Sequence, residues 1–167
     1  MGADDHRAKA AKKAICAVIT VSDTRTKETD GSGAAIMESL KSHGHEVKRY
    51  AIVKDDVPMI QNALREAMED GAVQAVILNG GTGVTSRDST IEAIDSFKEK
   101  ELPGFGELFR ALSYQEVGAA AMLSRAVAFV SEGKIVFALP GSTAAVKLAT
   151  EKLIAGELGH IVSEANR

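Results

Sequence analysis

Aromatic residues are scarce in this chain, and tryptophan is absent. Aromatic side chains make up only 4% of the 167 residues, which leaves little material for stacking against nucleobases. The formal net charge is −3 at pH 7, whereas proteins that bind nucleic acids usually carry a clear basic surplus. We therefore expect no nucleic-acid partner.

Cysteine and long apolar runs are also scarce. Cys16 is the single cysteine and lies in an apolar stretch, so we expect it to pack as a small hydrophobic residue. No apolar run reaches transmembrane length, and no secretory signal pattern is present. These features predict a cytoplasmic protein with no membrane partner.

The length and composition predict a single folded domain. Hydrophobic residues make up 45% and charged residues 26% of the chain, as is usual for a soluble globular protein. A chain of 167 residues is long enough to build one sizeable core. The first thirteen residues are polar, basic and rich in alanine, so we predict a flexible N-terminal arm over residues 1–13 and one domain over residues 14–167.

Three strand-like runs are each followed by a polar loop and a helical pattern. The runs are Ile15–Val21, Ala75–Asn79 and Ile135–Leu139. The loops after them contain, in order, Ser22, Asp23, Asp30 and Ser32; Gly80, Gly81, Thr82 and Gly83; and Pro140, Gly141 and Ser142. If the three strands are parallel, these loops lie along the carboxyl edge of one sheet, where open α/β proteins bind their ligands. The sequence thus predicts one composite site built from three loops.

Further strands and several helices complete the predicted architecture. Residues 46–53 have a strand pattern, and runs at 126–131 and 134–139 predict a hairpin because Glu132 and Gly133 separate them. Helical patterns cover residues 32–43, 57–71, 89–97, 104–117 and 143–154, and residues 98–101 are predicted to be a solvated stretch. We predict a three-layer α/β/α domain whose sheet is mostly parallel, with one antiparallel hairpin strand.

The segment Gly80–Gly83 has the composition of a phosphate-binding loop. Glycine lets the backbone approach a bulky anion, and unpaired N–H groups at the start of the following helix point toward whatever binds there. The segment lacks the Gly-Lys-Ser/Thr ending of a Walker P-loop and the spacing of the dinucleotide fingerprint. A nicotinamide-dependent oxidoreductase is an alternative that lacks its expected fingerprint.

Four aspartates near these loops each allow a functional and a structural interpretation. Asp88 could hold a divalent cation against phosphate oxygens while Arg87 offsets phosphate charge, or it could cap the following helix. Asp55 could serve metal or proton chemistry at the mouth of the site, or cap its own helix. Asp23 and Asp30 could contact a polar ligand or stabilise turns. Local sequence leaves both interpretations open for each residue.

Hydroxyl groups in the loops are expected to hydrogen-bond a ligand rather than to act as nucleophiles. No Gly-x-Ser-x-Gly elbow or paired histidine supports a hydrolase triad around Ser22, Ser86 or Ser142. The run from Ser89 to Glu92 has the spacing of a capping box, which predicts that a helix begins there.

Four ordered motifs run through the chain. They are Asn-Gly-Gly-Thr-Gly at 79–83 with Arg-Asp-Ser-Thr at 87–90, Leu-Pro-Gly-Phe-Gly-Glu at 102–107, Leu-Ser-Arg at 123–125 and Leu-Pro-Gly-Ser at 139–142. Together with Thr-Val-Ser-Asp-Thr-Arg at 20–25, they resemble the MoaB/MogA family of molybdenum cofactor biosynthesis proteins over residues 14–160. The run Leu-Ser-Tyr-Gln-Glu-Val-Gly at 112–118 looks closer to MoaB than to MogA.

The resemblance implies a molybdopterin- and nucleotide-binding domain. In catalytically active relatives, ATP adenylylates the terminal phosphate of molybdopterin with the assistance of Mg²⁺, and pyrophosphate is released. Active relatives depend on two aspartates that match Asp55 and Asp88, and the resemblance implies that Asp88 anchors the metal. The expected substrate and nucleotide contacts are Ser22, Asp23, Asp30, Ser32, Gly80, Gly81, Thr82, Gly83, Arg87, Ser89, Thr90, Glu107, Pro140, Gly141 and Ser142.

The resemblance also implies an alternative function and several partners. Some MoaB members look redundant or inactive, so the alternative is a non-catalytic molybdopterin- or nucleotide-binding protein of the same pathway. Relatives form trimers, and MoaB-like relatives form pairs of trimers. A homotrimer or homohexamer is therefore expected, and other proteins of the pathway could be partners.

Overall fold

A six-stranded sheet runs through the centre of the molecule. The computed structural model describes Gly2 and residues 13–167, so most of the predicted arm at 1–13 lies outside the described residues. The strands are β1 (Ile15–Val21), β2 (Glu46–Val53), β3 (Ala75–Asn79), β4 (Lys100–Glu101), β5 (Val127–Ser131) and β6 (Lys134–Leu139).

Among residues 13–167, six α-helices and three shorter helical segments connect the strands or follow the last of them. The α-helices are α1 (Gly31–Ser42), α2 (Val57–Glu69), α3 (Thr90–Ile94), α4 (Pro103–Val117), α5 (Thr143–Ala149) and α6 (Leu158–Ala165). The shorter segments are the 3-10 helices Asp95–Phe97 and Gly118–Leu123 and the π-helical turn Thr150–Ile154. None of the helices in the described part of the chain has the length and apolar character needed to cross a bilayer.

The sheet is mixed, with the strand order β2-β1-β3-β6-β5-β4. Strands β2, β1, β3 and β6 are parallel to their neighbours in this series, whereas β5 is antiparallel to both β6 and β4. Positive φ angles at Glu132 (50°) and Gly133 (74°) form the two-residue turn that joins β5 to β6. The predicted sheet, mostly parallel with one antiparallel hairpin strand, is confirmed.

Alternate residues of the central strands face two separate cores. Cys16 and Ile77 pack into the core beneath α1, α4, α5 and α6, whereas Ala17 and Leu78 pack into the core beneath α2 and α3. Strands that are buried on both faces read as continuous apolar runs, which is the pattern seen in the sequence. The three-layer α/β/α architecture is therefore also confirmed.

The edge strand β4 differs from what the sequence predicted. Lys100 and Glu101 are exposed, as expected of a solvated stretch, but their backbone pairs with Val130 and Phe129 of β5. Two exposed charged residues carry no apolar alternation, so the side-chain pattern could not reveal the backbone pairing.

The strand register brings the three predicted loops together. Thr20 of β1 is paired with Asn79 of β3, and Asn79 is paired with Leu139 of β6. The carboxyl ends of the three strands therefore lie side by side at one edge, and the loops that follow them emerge next to one another.

Candidate functional site

Thr90 binds the first two carbonyl groups of the Gly-rich loop after β3. Its hydroxyl donates to the carbonyl oxygen of Gly80 at 2.7 Å, and its N–H donates to that of Gly81 at 3.0 Å. Thr90 is fully buried at the start of α3, so it anchors the loop to that helix instead of facing solvent.

Arg125 binds the other two carbonyl groups of the loop. Its N–H donates to the carbonyl oxygen of Thr82 at 3.1 Å, while its Nε and Nη2 donate to that of Gly83 at 2.9 and 2.6 Å. In contrast, the N–H groups of residues 81–84 have no acceptor in the described part of the chain. A loop with occupied carbonyl groups and free N–H groups is suited to bind an anion.

The loop conformation requires glycine at position 81. Its φ angle of +66° lies in the left-handed region, and a Cβ there would lie 2.4 Å from Thr90 Oγ1 and 2.8 Å from Asp55 Oδ2. A Cβ at Gly83 would likewise lie 2.8 Å from Asp88 Oδ2. Two carboxylates therefore lie directly against the Gly-rich loop.

Asp55 follows β2 and turns its carboxylate toward the loop. Its Oδ1 accepts hydrogen bonds from the N–H of Ser89, at 3.1 Å, and from the Ser89 hydroxyl. The capping alternative for Asp55 is wrong, because its neighbour Asp56 caps α2 by accepting from the N–H of Met59 at 3.3 Å. The predicted capping box is wrong too, since the Ser89 side chain makes no capping bond to α3.

Asp88 closes a turn within the segment that precedes α3. Its Oδ2 accepts from the N–H and the hydroxyl of Thr85, at 2.8 and 2.7 Å. It accepts no hydrogen bond from an N–H group of α3, so the helix-capping alternative for Asp88 is also wrong. Its Oδ1 has no hydrogen-bond donor among residues 13–167 and remains open to a ligand.

Asp23 and Arg87 form an exposed ion pair beside these carboxylates. Asp23 accepts from the N–H of Asp55 at 3.1 Å through Oδ1 and pairs with the Arg87 guanidinium through Oδ2. The hydrogen bond from Arg87 lowers the pKa of Asp23, and Asp23 in turn raises the pKa of Arg87. Both groups are therefore charged at neutral pH, and one guanidinium faces several carboxylates.

Asp30 lies beneath the loops and links β1, β2 and α1. Its carboxylate accepts from the Thr20 hydroxyl at 2.6 Å, from the Tyr50 hydroxyl and from the N–H of Gly33 at 2.9 Å. Burial acts to raise the pKa of Asp30, but these hydrogen bonds and nearby Arg25 outweigh it, so the pKa is lowered. Because the residue is 2% exposed and caps α1, the structure places it under the site rather than on it.

Replacing Asp30 with asparagine should remove a pH-dependent part of the stability. The pKa of an unfolded aspartate is about 3.9, and the folded value is lower, so the ionised carboxylate stabilises the fold fully above about pH 5. This contribution is lost as the pH falls through the folded-state pKa. The difference in unfolding free energy between wild type and Asp30→Asn, measured with urea, should therefore shrink between about pH 7 and pH 3. Asp95→Asn at an exposed position is the control, and a pH-independent difference for Asp30→Asn would contradict the prediction.

The loop after β6 is fastened to the loop after β1. Arg25 Nη2 and the hydroxyl of Ser32 both donate to the carbonyl oxygen of Gly141, at 3.0 and 2.7 Å. A Cβ at Gly141 would lie only 3.2 Å from the Cα of Gly80, so this loop also touches the Gly-rich loop. Ser142 caps α5 with its side chain. All three predicted loops are thus brought into contact.

The remaining predicted residues are more scattered. Ser22 accepts from the N–H of Arg25 at 3.0 Å and so stabilises its own turn. Glu107 lies on α4 and lines a different pocket with Arg110 and Val127 near the β4–β5 side of the same edge. Sequence reasoning assigned no role to Arg125, although the Leu-Ser-Arg motif contains it.

The domain as a whole is similar to known proteins. The family model for the probable molybdopterin binding domain matches residues 17–160. Molybdenum cofactor biosynthesis protein B of Halalkalibacterium halodurans is 51% identical over 165 residues, which cover 98% of this chain and 97% of that protein. A crystal structure of a molybdenum cofactor biosynthesis protein B has a TM-score of 0.91 at 51% identity, covering 95% of this chain and 99% of that chain. The tungsten cofactor synthesizing protein MoaB from Pyrococcus furiosus has a TM-score of 0.85 at 44% identity, covering 95% and 100%. As its motifs predicted, the chain belongs to the MoaB/MogA family of molybdenum cofactor biosynthesis proteins.

Proposed function

We propose that the protein transfers an adenylyl group from ATP to the terminal phosphate of molybdopterin. A molybdopterin phosphate oxygen would form a bond to the α-phosphorus of ATP, and the bond from that phosphorus to the pyrophosphate group would break. The observation that carries the proposal is the Gly-rich loop, with four occupied carbonyl groups and free N–H groups beside two carboxylates. Transfer between phosphates requires mainly that the phosphates be positioned and their charge be neutralised.

The donor set beside the loop fits a magnesium ion shared with substrate phosphates. Asp55 Oδ2 and Asp88 Oδ1 each lack a hydrogen-bond donor in the described part of the chain. No three His, Cys, Asp or Glu side chains among residues 13–167 are arranged to hold a metal ion by themselves. Mg²⁺ commonly takes one or two carboxylates and completes its coordination with phosphates and water. When bound, the ion would neutralise charge on the phosphate oxygens.

The residues of the chain divide the work between binding and orientation. The N–H groups of residues 81–84 would bind nucleotide phosphate, and Asp88 would hold the metal. Asp55, which Ser89 orients, would position the attacking phosphate together with the metal. Arg87 would offset phosphate charge near Asp23. Because carboxylates and phosphates repel one another, this arrangement needs a cation between them, which further supports Mg²⁺.

Incubation of the purified protein with molybdopterin, Mg²⁺ and ATP labelled at the α-phosphate tests the proposal. We expect labelled adenylyl-molybdopterin and pyrophosphate in equal amounts, and no product when EDTA replaces Mg²⁺. Tight binding of molybdopterin without product in the presence of Mg²⁺ and ATP would instead favour the non-catalytic alternative.

We also propose that the protein assembles as a homotrimer or homohexamer. The end of α4 and the 3-10 helix after it expose apolar side chains that the chain's own sheet does not cover. They are Tyr114 (62% exposed), Val117 (57%), Met122 (74%) and Leu123 (54%). Clustered apolar exposure of this kind is typical of an interface, and closed symmetry is usual for homo-oligomers.

Light scattering should give about three or six times the chain mass of 17.6 kDa, and a concentration-independent monomer would contradict this prediction.

A further inference from the structure

Arg125 lies just before β5 and reaches back to the Gly-rich loop. Its side chain donates twice to the carbonyl oxygen of Gly83, at 2.9 and 2.6 Å. The rest of the guanidinium pairs with the carboxylate of Glu92 on α3, one bond being 3.3 Å long. Arg125 therefore holds the loop on one side and, on the other, the helix that follows the loop.

The carbonyl that Arg125 holds determines where the next N–H group points. The C=O of Gly83 and the N–H of Val84 belong to one planar peptide group and point in opposite directions. A flip of this peptide group would change ψ of Gly83, which glycine allows, together with φ of Val84. If the group flipped, the loop would turn a carbonyl dipole toward a phosphate in place of an N–H. A charge-assisted hydrogen bond, about twice as strong as a neutral one, opposes the flip.

We infer that Arg125 is a positioning residue that keeps the N–H groups of Gly83 and Val84 available to nucleotide phosphate. Its backbone N–H orients the first of these peptide groups through Thr82, and its side chain orients the second. The Nε, Nη1 and Nη2 atoms of Arg125 are all engaged by the Gly83 carbonyl or by Glu92, so Arg125 acts through the loop and does not itself bind the anion. The inference rests on the proposed function, because it takes phosphate to be the ligand of the loop.

Calorimetric titration with inorganic pyrophosphate and with Mg-ATP tests this role in Arg125→Gln and Arg125→Lys. Loss of a charged hydrogen bond should weaken both affinities by about 10–100-fold in Arg125→Gln. Arg125→Lys, which keeps one charged donor, should lose less and thus show partial rescue. Hydrogen exchange in the ligand-free proteins should be faster over residues 80–90 in Arg125→Gln.

Lys134→Gln is the matched control. Lys134 Nζ also donates hydrogen bonds to two backbone carbonyl groups, those of Asp70 and Val73, but it lies at the opposite edge of the sheet. This variant should lower the melting temperature without changing either affinity. The inference is overturned if folded Arg125→Gln binds pyrophosphate as wild type does. It is also overturned if Arg125→Gln and Lys134→Gln each weaken binding in proportion to their loss of stability. If Arg125→Gln does not fold, the test rests on Arg125→Lys. The inference is then overturned if this variant binds both ligands as wild type does and shows wild-type hydrogen exchange over residues 80–90.

Failure of the proposed function gives a different result. If phosphate is not the ligand of the loop, wild-type protein binds neither pyrophosphate nor Mg-ATP. If the loop binds nucleotide without catalysis, both ligands bind but no product forms, and the Arg125 test applies unchanged. Faster exchange confined to residues 80–90 in Arg125→Gln would still support the positioning of the loop by Arg125, and unchanged exchange would overturn it.

Discussion

Asparagine at position 88 should slow adenylyl transfer by about 10²–10³-fold while leaving the protein folded. The side-chain oxygen of asparagine can still accept from the N–H and hydroxyl of Thr85, so the turn before α3 is retained. What Asp88→Asn removes is the negative charge proposed to hold Mg²⁺. Turnover is measured as pyrophosphate release. The free energy of unfolding in urea should fall by about 1 kcal/mol at most, within the range typical of a lost helix cap.

Two further variants make the test of Asp88 specific. Asp88→Ala should lose turnover to a similar extent and should lose additional stability, because the turn with Thr85 is no longer closed. Asp95→Asn makes the same chemical change on an exposed segment after α3 and should keep normal turnover. Asp88→Asn with normal turnover, alongside a destabilised Asp88→Ala, would mean that Asp88 has only a structural role.

Valine at position 81 should abolish the binding of ATP. The substitution forces a β-branched residue to adopt a φ angle of +66° and places its Cβ within 2.4 Å of Thr90 Oγ1. Relief of this clash requires the loop or α3 to shift, which would displace the N–H groups of residues 81–84. Calorimetry with ATP and Mg²⁺ should therefore detect no binding, whereas circular dichroism should show a folded domain.

Gly71→Val is the matched control for Gly81→Val. Gly71 lies in a turn after α2, and a Cβ there would meet nothing within 4 Å. This variant should bind ATP normally. Unchanged ATP affinity in folded Gly81→Val would show that phosphate binds to another loop.

Elements with strong local signals could be predicted from the sequence. Continuous apolar runs revealed β1 and β3, because strands buried on both faces need no polar side. The turn residues Glu132 and Gly133 revealed the β5–β6 hairpin. The positions of the three loops followed from the parallel pairing of β1, β3 and β6.

Contacts between distant residues could not be predicted in this way. The sequence offered capping as an alternative for Asp55, but the side chain bonds to Ser89, which is 34 residues away along the chain. The guanidinium of Arg125 likewise reaches a carbonyl 42 residues away. Capping statistics describe neighbours along the chain, so they fail where a tertiary partner competes for the same oxygen.

The close approach of Gly80 and Gly141 links the loop after β3 to the loop after β6. A Cβ added at Gly141 would lie 3.2 Å from the Cα of Gly80, and the N–H of Gly80 donates to the carbonyl oxygen of Leu139 at 3.0 Å, immediately before the second loop. We therefore expect that a displacement of one loop also displaces the other. Residues 84–87 are exposed and lie outside this contact, so we expect adjustment to an incoming ligand to begin with them.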